Sequence, residues 1–193
     1  MELFFDTETS GKFNFKTAKY TDSNFPWVVQ LGAVLAEDGI AYAEVNVIIK
    51  PDGRTITEGA QQVHNISREL AEKTGIKETE MLDIFLSLMN NADYLVAHNY
   101  EFDSNIMASS MHKNGFKISA KVITKEIPSF CTMRETTDIC KLPGQYGKWK
   151  WPKLSELYWF LFGEKMVGAH DAMFDIKATM RCYYELKKRG LAK

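Results

Sequence analysis

Apolar residues follow two rhythms along this chain. Leu3-Phe4-Phe5 is a short run that stops at Asp6, as a buried strand would. Residues 28–35 and 43–49 are rich in β-branched side chains, and Glu37-Asp38-Gly39 between them signals a hairpin. Residues 94–97, Tyr-Leu-Val-Ala, make a fourth strand, and residues 129–131 a fifth. Residues 12–26 are polar and aromatic with Pro26 near their end, a loop composition.

Elsewhere the period lengthens to that of a helix. Ser67 caps a short helix through Lys73 that Gly75 ends. Met81, Leu82, Phe85, Leu88 and Met89 share one face of residues 79–90. Residues 103–114 read as a helix ended by Gly115, with Asp103 as its N-cap in the simplest reading. Pro152 suits the first turn of a helix through Phe162, stopped by Gly163. Residues 171–188 form the last helix, with Met173, Ile176, Met180 and Tyr183 on one face. Residues 142–151, with two glycines, Pro143, Tyr146 and two tryptophans, make a long loop whose rings either wall a substrate or pack the loop itself. Three strands followed by alternating helix and strand predict an α/β domain with a mixed sheet and helices on its faces, one domain over residues 1–193.

Composition narrows the functional classes. With 24 basic against 25 acidic residues, the net charge of −1 excludes bulk electrostatic coating of nucleic acid. Any nucleic-acid chemistry must sit at a local site, where a metal can supply positive charge. Three cysteines without C-x-x-C spacing give neither a disulfide framework nor a structural zinc site. No signal sequence opens the chain, and its most apolar stretch, residues 27–36, is too short to cross a bilayer. The expectation is a soluble cytoplasmic protein.

The candidate chemistry is acidic. Asp6 and Glu8 lie two apart at the end of the first strand, so they project from one face about 6–7 Å apart. Adjacent carboxylates raise each other's cost of ionisation, and a hard divalent cation between them removes it. A lone D-x-E is ordinarily a turn followed by a solvated Glu, but Asp103 and Asp175 enlarge the set. Asp103 follows the fourth strand, near the carboxyl end where α/β sites are built. On one helix His170 and Asp175 would diverge by about 140°, so His170 belongs in the preceding loop. Asp175 then falls on the stripe of Thr179, Cys182 and Leu186, where a carboxylate is costly unless paired or metal-bound. Four carboxylates and an imidazole suit two divalent ions about 3.5–4 Å apart acting on a phosphodiester, with His170 taking a proton from water near neutral pH. His112 lies in no motif and is expected to be solvated.

Asp6-Thr7-Glu8-Thr9-Ser10-Gly11, His98-Asn99-Tyr100-Glu101-Phe102-Asp103 and His170-Asp171-Ala172-Met173-Phe174-Asp175 resemble, in order and spacing, the three motifs of the DEDDh (DnaQ-like) 3′→5′ exonucleases. The resemblance spans essentially the whole chain. It implies a ribonuclease H-like fold with a five-stranded mixed sheet flanked by helices. By matched position it makes Asp6, Glu8, Asp103 and Asp175 the ligands of two Mg2+ or Mn2+ ions and His170 the general base. Val63-His64-Asn65-Ile66 resembles the family's V-H-G-I segment at the terminal-nucleotide pocket, with Asn65 where that segment has glycine. Thr9, Ser10 and Gly11 would approach the 3′-terminal nucleotide, and Phe102 would pack against a base. Two readings stay open for His64, pocket wall or structural histidine, and two for Asn99, substrate contact or loop brace. The implied substrate is the 3′ end of single-stranded or frayed DNA, cut to nucleoside 5′-monophosphates. A stand-alone bacterial or phage exonuclease is the leading expectation; exoribonuclease or oligoribonuclease activity and a non-catalytic nucleic-acid or polymerase-binding module are the alternatives, and association with a DNA polymerase stays open. Near-neutral charge predicts contact with a few terminal nucleotides and distributive action.

Overall fold

The computed structural model describes residues 1–166 and 172–192. Strands β1 (Glu2–Thr9), β2 (Val28–Glu37), β3 (Ile40–Ile48), β4 (Tyr94–Ala97) and β5 (Ser129–Cys131) form one sheet in the order β3-β2-β1-β4-β5. The pairs β1–β2 and β2–β3 are antiparallel, whereas β1–β4 and β4–β5 are parallel, so the sheet is mixed as expected. The hairpin joining β2 to β3 turns at Asp38 and Gly39, both with positive φ (50° and 84°), the twist that a tight antiparallel turn requires.

The helices are α1 (Glu58–His64), α2 (Arg68–Thr74), α3 (Glu78–Asn90), α4 (Tyr100–Lys113), α5 (Lys117–Lys125), α6 (Thr132–Glu135), α7 (Thr137–Cys140), α8 (Leu154–Phe162) and α9 (Ala172–Lys188). Successive residues of β1 feed opposite faces of the sheet. Phe5 meets Phe85 of α3 and Tyr100 of α4 at centroid distances of 5.3 and 5.8 Å. Its neighbour Phe4 packs edge-on against Tyr183 of α9 at 5.4 Å. Helices therefore cover both faces, with one apolar cluster on each. On α3, Met81, Leu82, Phe85 and Met89 are buried as expected and Leu88 partly so; on α9, Ile176 and Tyr183 of the expected face are buried, Met173 and Met180 only partly, and Thr179, Cys182 and Leu186 complete the buried stripe.

Some boundaries differ from expectation, and two of the shifts matter for function. β1 does not stop at Asp6 but pairs with β2 through Thr9, so the acidic pair stands on an ordered strand. α4 begins at Tyr100, three residues before Asp103, which lies in its first turn and is not its N-cap. The N-cap is Asn99, in the left-handed region with φ 74°. Pro152 precedes α8 instead of entering its first turn, and Lys153 is the N-cap, its backbone N–H donating to Glu156 at 2.8 Å. The start expected for the last helix, Asp171, lies outside the described residues. Helices α1, α5, α6 and α7 were not legible because each is short and buries too few residues to leave a periodic stripe. His112 is not solvated as expected: it is half-buried, edge-on to Tyr20 at 6.0 Å.

Candidate functional site

Three elements carry the acids to one end of the sheet. β1 supplies Asp6 and Glu8, α4 supplies Asp103 and α9 supplies Asp175. All four line one cavity of about 780 Å3, together with His98, Asn99, Phe102, Met133 and residues 151–155. His170, the expected general base, lies outside the described residues.

Local sequence explains why these carboxylates meet. Gly32 of β2 sits directly opposite Asp6 in the antiparallel ladder. A Cβ at Gly32 would lie 2.5 Å from Ile176 Cδ1 and 3.2 Å from Ala172 Cβ. The missing side chain thus lets the first turns of α9 settle on the sheet beside Asp6, bringing Asp175 with them. From the other face, Asp103 is 3% exposed and is anchored to β1 by Thr7. The Thr7 backbone N–H and hydroxyl both donate to its Oδ1, at 3.0 and 2.7 Å. Thr7, the middle residue of the first motif, is therefore the strut between the strand acids and the helix acid.

The electrostatics match this crowding. Asp6 is held well above the usual carboxylate range, first by burial and then by Asp103, Glu8 and Asp175. Asp103 is pushed up to about 7 by burial, against the pull of the Thr7 hydrogen bonds. Four carboxylates crowded on one cavity, Asp103 buried and the other three half-buried, are the donor chemistry of a hard divalent cation. The described residues do not by themselves form a closed cage: among them no three His, Cys, Asp or Glu side chains group tightly enough to hold an ion. The fit therefore rests on charge and donor type.

A second cavity of about 440 Å3 adjoins the first, sharing Thr7, Glu8, Lys12 and Phe102. Thr9, Gly11 and His64 line it, as the motif resemblance implies, alongside Thr57, Ala60 and Val63. Ser10 lines neither cavity. It is buried and spent on backbone: its hydroxyl accepts from the Trp27 N–H at 3.2 Å and its carbonyl accepts from the Thr57 N–H at 3.0 Å. Phe102 does border both cavities, but its ring stacks on Phe13 at 5.1 Å with an interplanar angle of 10°.

His64 combines its two readings. Nδ1 accepts from the Ile66 N–H at 3.0 Å, a structural bond within its own loop. The proton then resides on Nε2, which is buried and, among the described residues, has no hydrogen-bond partner of ordinary length, with the Thr9 backbone acting on the ring. Burial lowers its pKa, keeping the ring neutral near pH 7. Asn65 takes up the C-cap of α1 with φ 59°, the left-handed conformation for which glycine is suited and which asparagine tolerates. The departure from V-H-G-I leaves the turn intact.

His98 also proves structural. Nε2–H donates to the Pro152 carbonyl at 3.1 Å and Nδ1 accepts from the Thr132 hydroxyl at 2.9 Å. Burial pulls its pKa down to about 4, so the neutral ring ties the loop before α8 to the strand end. Asn99, as the left-handed cap of α4, braces its loop and also borders the acidic cavity.

Sequence reading passed over Thr7, Lys12, Thr57, Met133 and Lys153, all of which border the cavities, whereas Trp151 belongs to the loop whose rings were one candidate for a substrate wall. A signal existed for Lys12, a cation directly after the first motif. Met133 and Thr57 carried none.

Comparison with known proteins agrees with this geometry. A family model named RNase_T and described as Exonuclease matches residues 3–183, which bears out the resemblance read from the three motifs. A DNA polymerase III PolC-type from Thermotoga petrophila is 31% identical over 99 residues, 51% of this chain and 7% of that protein. Escherichia coli exonuclease I in complex with a dA16 oligonucleotide superposes with a TM-score of 0.75 at 19% identity, covering 97% of this chain and 41% of that one. A moderately thermophilic exonuclease I from Methylocaldum szegediense gives 0.73 at 19% identity, covering 97% and 40%. At that identity the likeness is one of fold. The chain thus spans about two fifths of each exonuclease I and a small part of the polymerase. Among the described residues no helix is long and apolar enough to cross a membrane.

Proposed function

The chain belongs to the exonuclease family, and from that premise we propose that it hydrolyses DNA from the 3′ end, releasing nucleoside 5′-monophosphates, with residues 1–193 acting as one exonuclease domain. The observation that carries this reading is the convergence of Asp6, Glu8, Asp103 and Asp175 on one cavity, with Asp6 pressed by the three other acids. Those four side chains would hold two divalent ions, Mg2+ or Mn2+. Held there, such ions offset the carboxylates' charge, lower the pKa of water and stabilise charge on the reacting phosphate.

The chain's own residues would do the rest. Two hydrogen bonds from Thr7 favour the ionised form of Asp103 against the effect of burial and aim it at the strand end. The 440 Å3 cavity, lined by Thr9, Gly11 and the neutral His64, would receive the terminal nucleoside. Lys12, shared by both cavities, supplies a positive charge for a phosphate. His170, assigned by its motif alone, would accept the proton from the attacking water. Single-stranded DNA is favoured as substrate by the oligonucleotide bound to the exonuclease I neighbour. Association with a polymerase is favoured by the PolC-type relative.

Single-stranded DNA, duplex DNA and RNA labelled at the 5′ end test this, each incubated with Mg2+, Mn2+ or EDTA. A ladder shortening by single nucleotides from the 3′ end, dependent on metal and lost in Asp175→Asn, is the expected result. Preference for RNA would replace the substrate while keeping the chemistry. Shortening from the 5′ end, or undiminished activity in EDTA, would overturn the proposal.

A further inference from the structure

The loop between α7 and α8 is basic and aromatic. Residues 141–153 hold Lys141, Lys148, Lys150 and Lys153 and no acid, within a protein whose net charge is −1. They also hold three aromatic rings in solvent: Tyr146 is 97% exposed, Trp149 46% and Trp151 58%. A loop that packed its own rings would cover them. This one is nevertheless built to a fixed shape. Gly144 N–H donates to the Lys148 carbonyl and Lys150 N–H to the Leu142 carbonyl, each at 3.0 Å. No side chain fits at Gly144, where a Cβ would lie 2.5 Å from that Lys148 oxygen. Tyr146 is held at φ 55°, a conformation costly for a bulky residue, with its ring outward.

The base of the loop is pinned at the acidic cavity. His98 fastens the Pro152 carbonyl, and Trp151, Pro152 and Lys153 line the same cavity as Asp6, Glu8, Asp103 and Asp175. The Arg134 guanidinium lies 5.5 Å over the Trp151 ring while pairing with Glu101. Lys150 is engaged by Glu156, whereas no salt bridge among the described residues occupies Lys141, Lys148 or Lys153. Exposed rings interleaved with lysines are how proteins grip a single strand without reading its sequence: bases stack on the rings and phosphates meet the cations.

We propose that this loop is a platform for the nucleotides immediately 5′ of the scissile phosphate in a single-stranded substrate. The strand would leave the carboxylate cavity over Trp151 and Lys153 and continue along Trp149, Lys148 and Tyr146. The inference rests on the proposed nuclease reading for the position of the 3′ end. It adds a length requirement: a strand too short to reach the loop forgoes its binding energy. Contact stays confined to a few nucleotides, consistent with near-neutral overall charge.

The test is equilibrium binding of 5′-fluorescein dT3 and dT12 to the full chain in EDTA, read by anisotropy. One stacked base is worth about 5-fold or more in affinity, so the wild type should bind dT12 at least about 25-fold more tightly than dT3 through two rings. In Tyr146→Ala/Trp149→Ala that ratio should collapse to within about 3-fold, and Trp149→Phe should restore most of its share. If the double variant misfolds by circular dichroism, Tyr146→Asp, a change at a side chain wholly in solvent, must still lower the ratio. An undiminished ratio in these variants, or a wild-type ratio near one, would overturn the proposal. Because hydrolysis is not involved, a protein that grips dT12 in this way but degrades nothing would refute the nuclease reading and leave the platform standing.

Discussion

Replacing Gly32 with alanine probes how the catalytic end of the sheet is assembled. The new Cβ would sit 2.5 Å from Ile176 Cδ1, 3.2 Å from Ala172 Cβ and 3.3 Å from the Ala172 backbone carbon. Ile176 can rotate its terminal methyl only into a buried, filled cluster, and the Ala172 backbone cannot yield without lifting α9. Overpacking of this kind costs about 1–3 kcal/mol. The larger effect falls on activity, because a lifted α9 carries Asp175 away from Asp6. A misplacement of about 1 Å in a catalytic group costs about 100-fold in rate. Ile176→Val removes the clashing Cδ1 and alone should cost about 0.5–1.5 kcal/mol. Combined with Gly32→Ala it should relieve the contact, so the double variant should be more stable than the sum of the singles by about 1 kcal/mol. Urea unfolding and turnover of a labelled single strand measure both quantities. Wild-type stability and turnover in Gly32→Ala, or strict additivity with Ile176→Val, would refute the claim that this glycine sets the helix against the site.

Three further perturbations follow. Thr7→Val deletes the 2.7 Å hydroxyl bond to the Asp103 carboxylate; it should lower kcat by about 10-fold or more, from a charged hydrogen bond worth about 1.5–3 kcal/mol, while Thr7→Ser retains most of it, and equal rates for the two would exclude the strut. His98 has a folded pKa near 4 against about 6.5 unfolded, so the unfolded chain binds its proton first as pH falls and the stability this neutral ring contributes drains away between about pH 6.5 and 4. His98→Gln should flatten that acid sensitivity in thermal melts, and identical pH profiles would count against the buried neutral ring. At Asn65, whose φ is 59°, alanine should destabilise by about 1 kcal/mol and glycine should change stability by less than about half of that; denaturant midpoints that rank alanine above glycine would contradict the left-handed cap.

Much of the architecture was readable because long elements leave long patterns. Strand β2, the stripes of α3 and α9 and the parallel strand β4 each bury a row of side chains, and β3 beside β2 alternates half-buried with exposed positions along most of its length. The four carboxylates were readable for a different reason: their spacing within motifs, set by where strand β1 ends and helices α4 and α9 begin. What escaped reading depends on contacts between distant residues. Nothing near Gly32 in the chain says that Ile176 will pack on it, and nothing near Thr7 says that its hydroxyl will hold Asp103. Ser10 was expected to approach substrate because it sits in the first motif, yet its hydroxyl and carbonyl are taken by Trp27 and Thr57. Short helices such as α6 and α7 are stabilised by tertiary packing and carry no stripe of their own.

The account depends on the acidic cavity being a cation site that serves phosphodiester hydrolysis. Crystals soaked with Mn2+ and a nucleoside 5′-monophosphate, with anomalous scattering recorded for the wild type and for Asp175→Asn, address that directly. Anomalous density bounded by Asp6, Glu8, Asp103 and Asp175 beside the nucleotide's phosphate, weakened or lost in the variant, is the predicted result. Nucleotide bound with no manganese among those oxygens, or manganese density unchanged by the substitution, would contradict it.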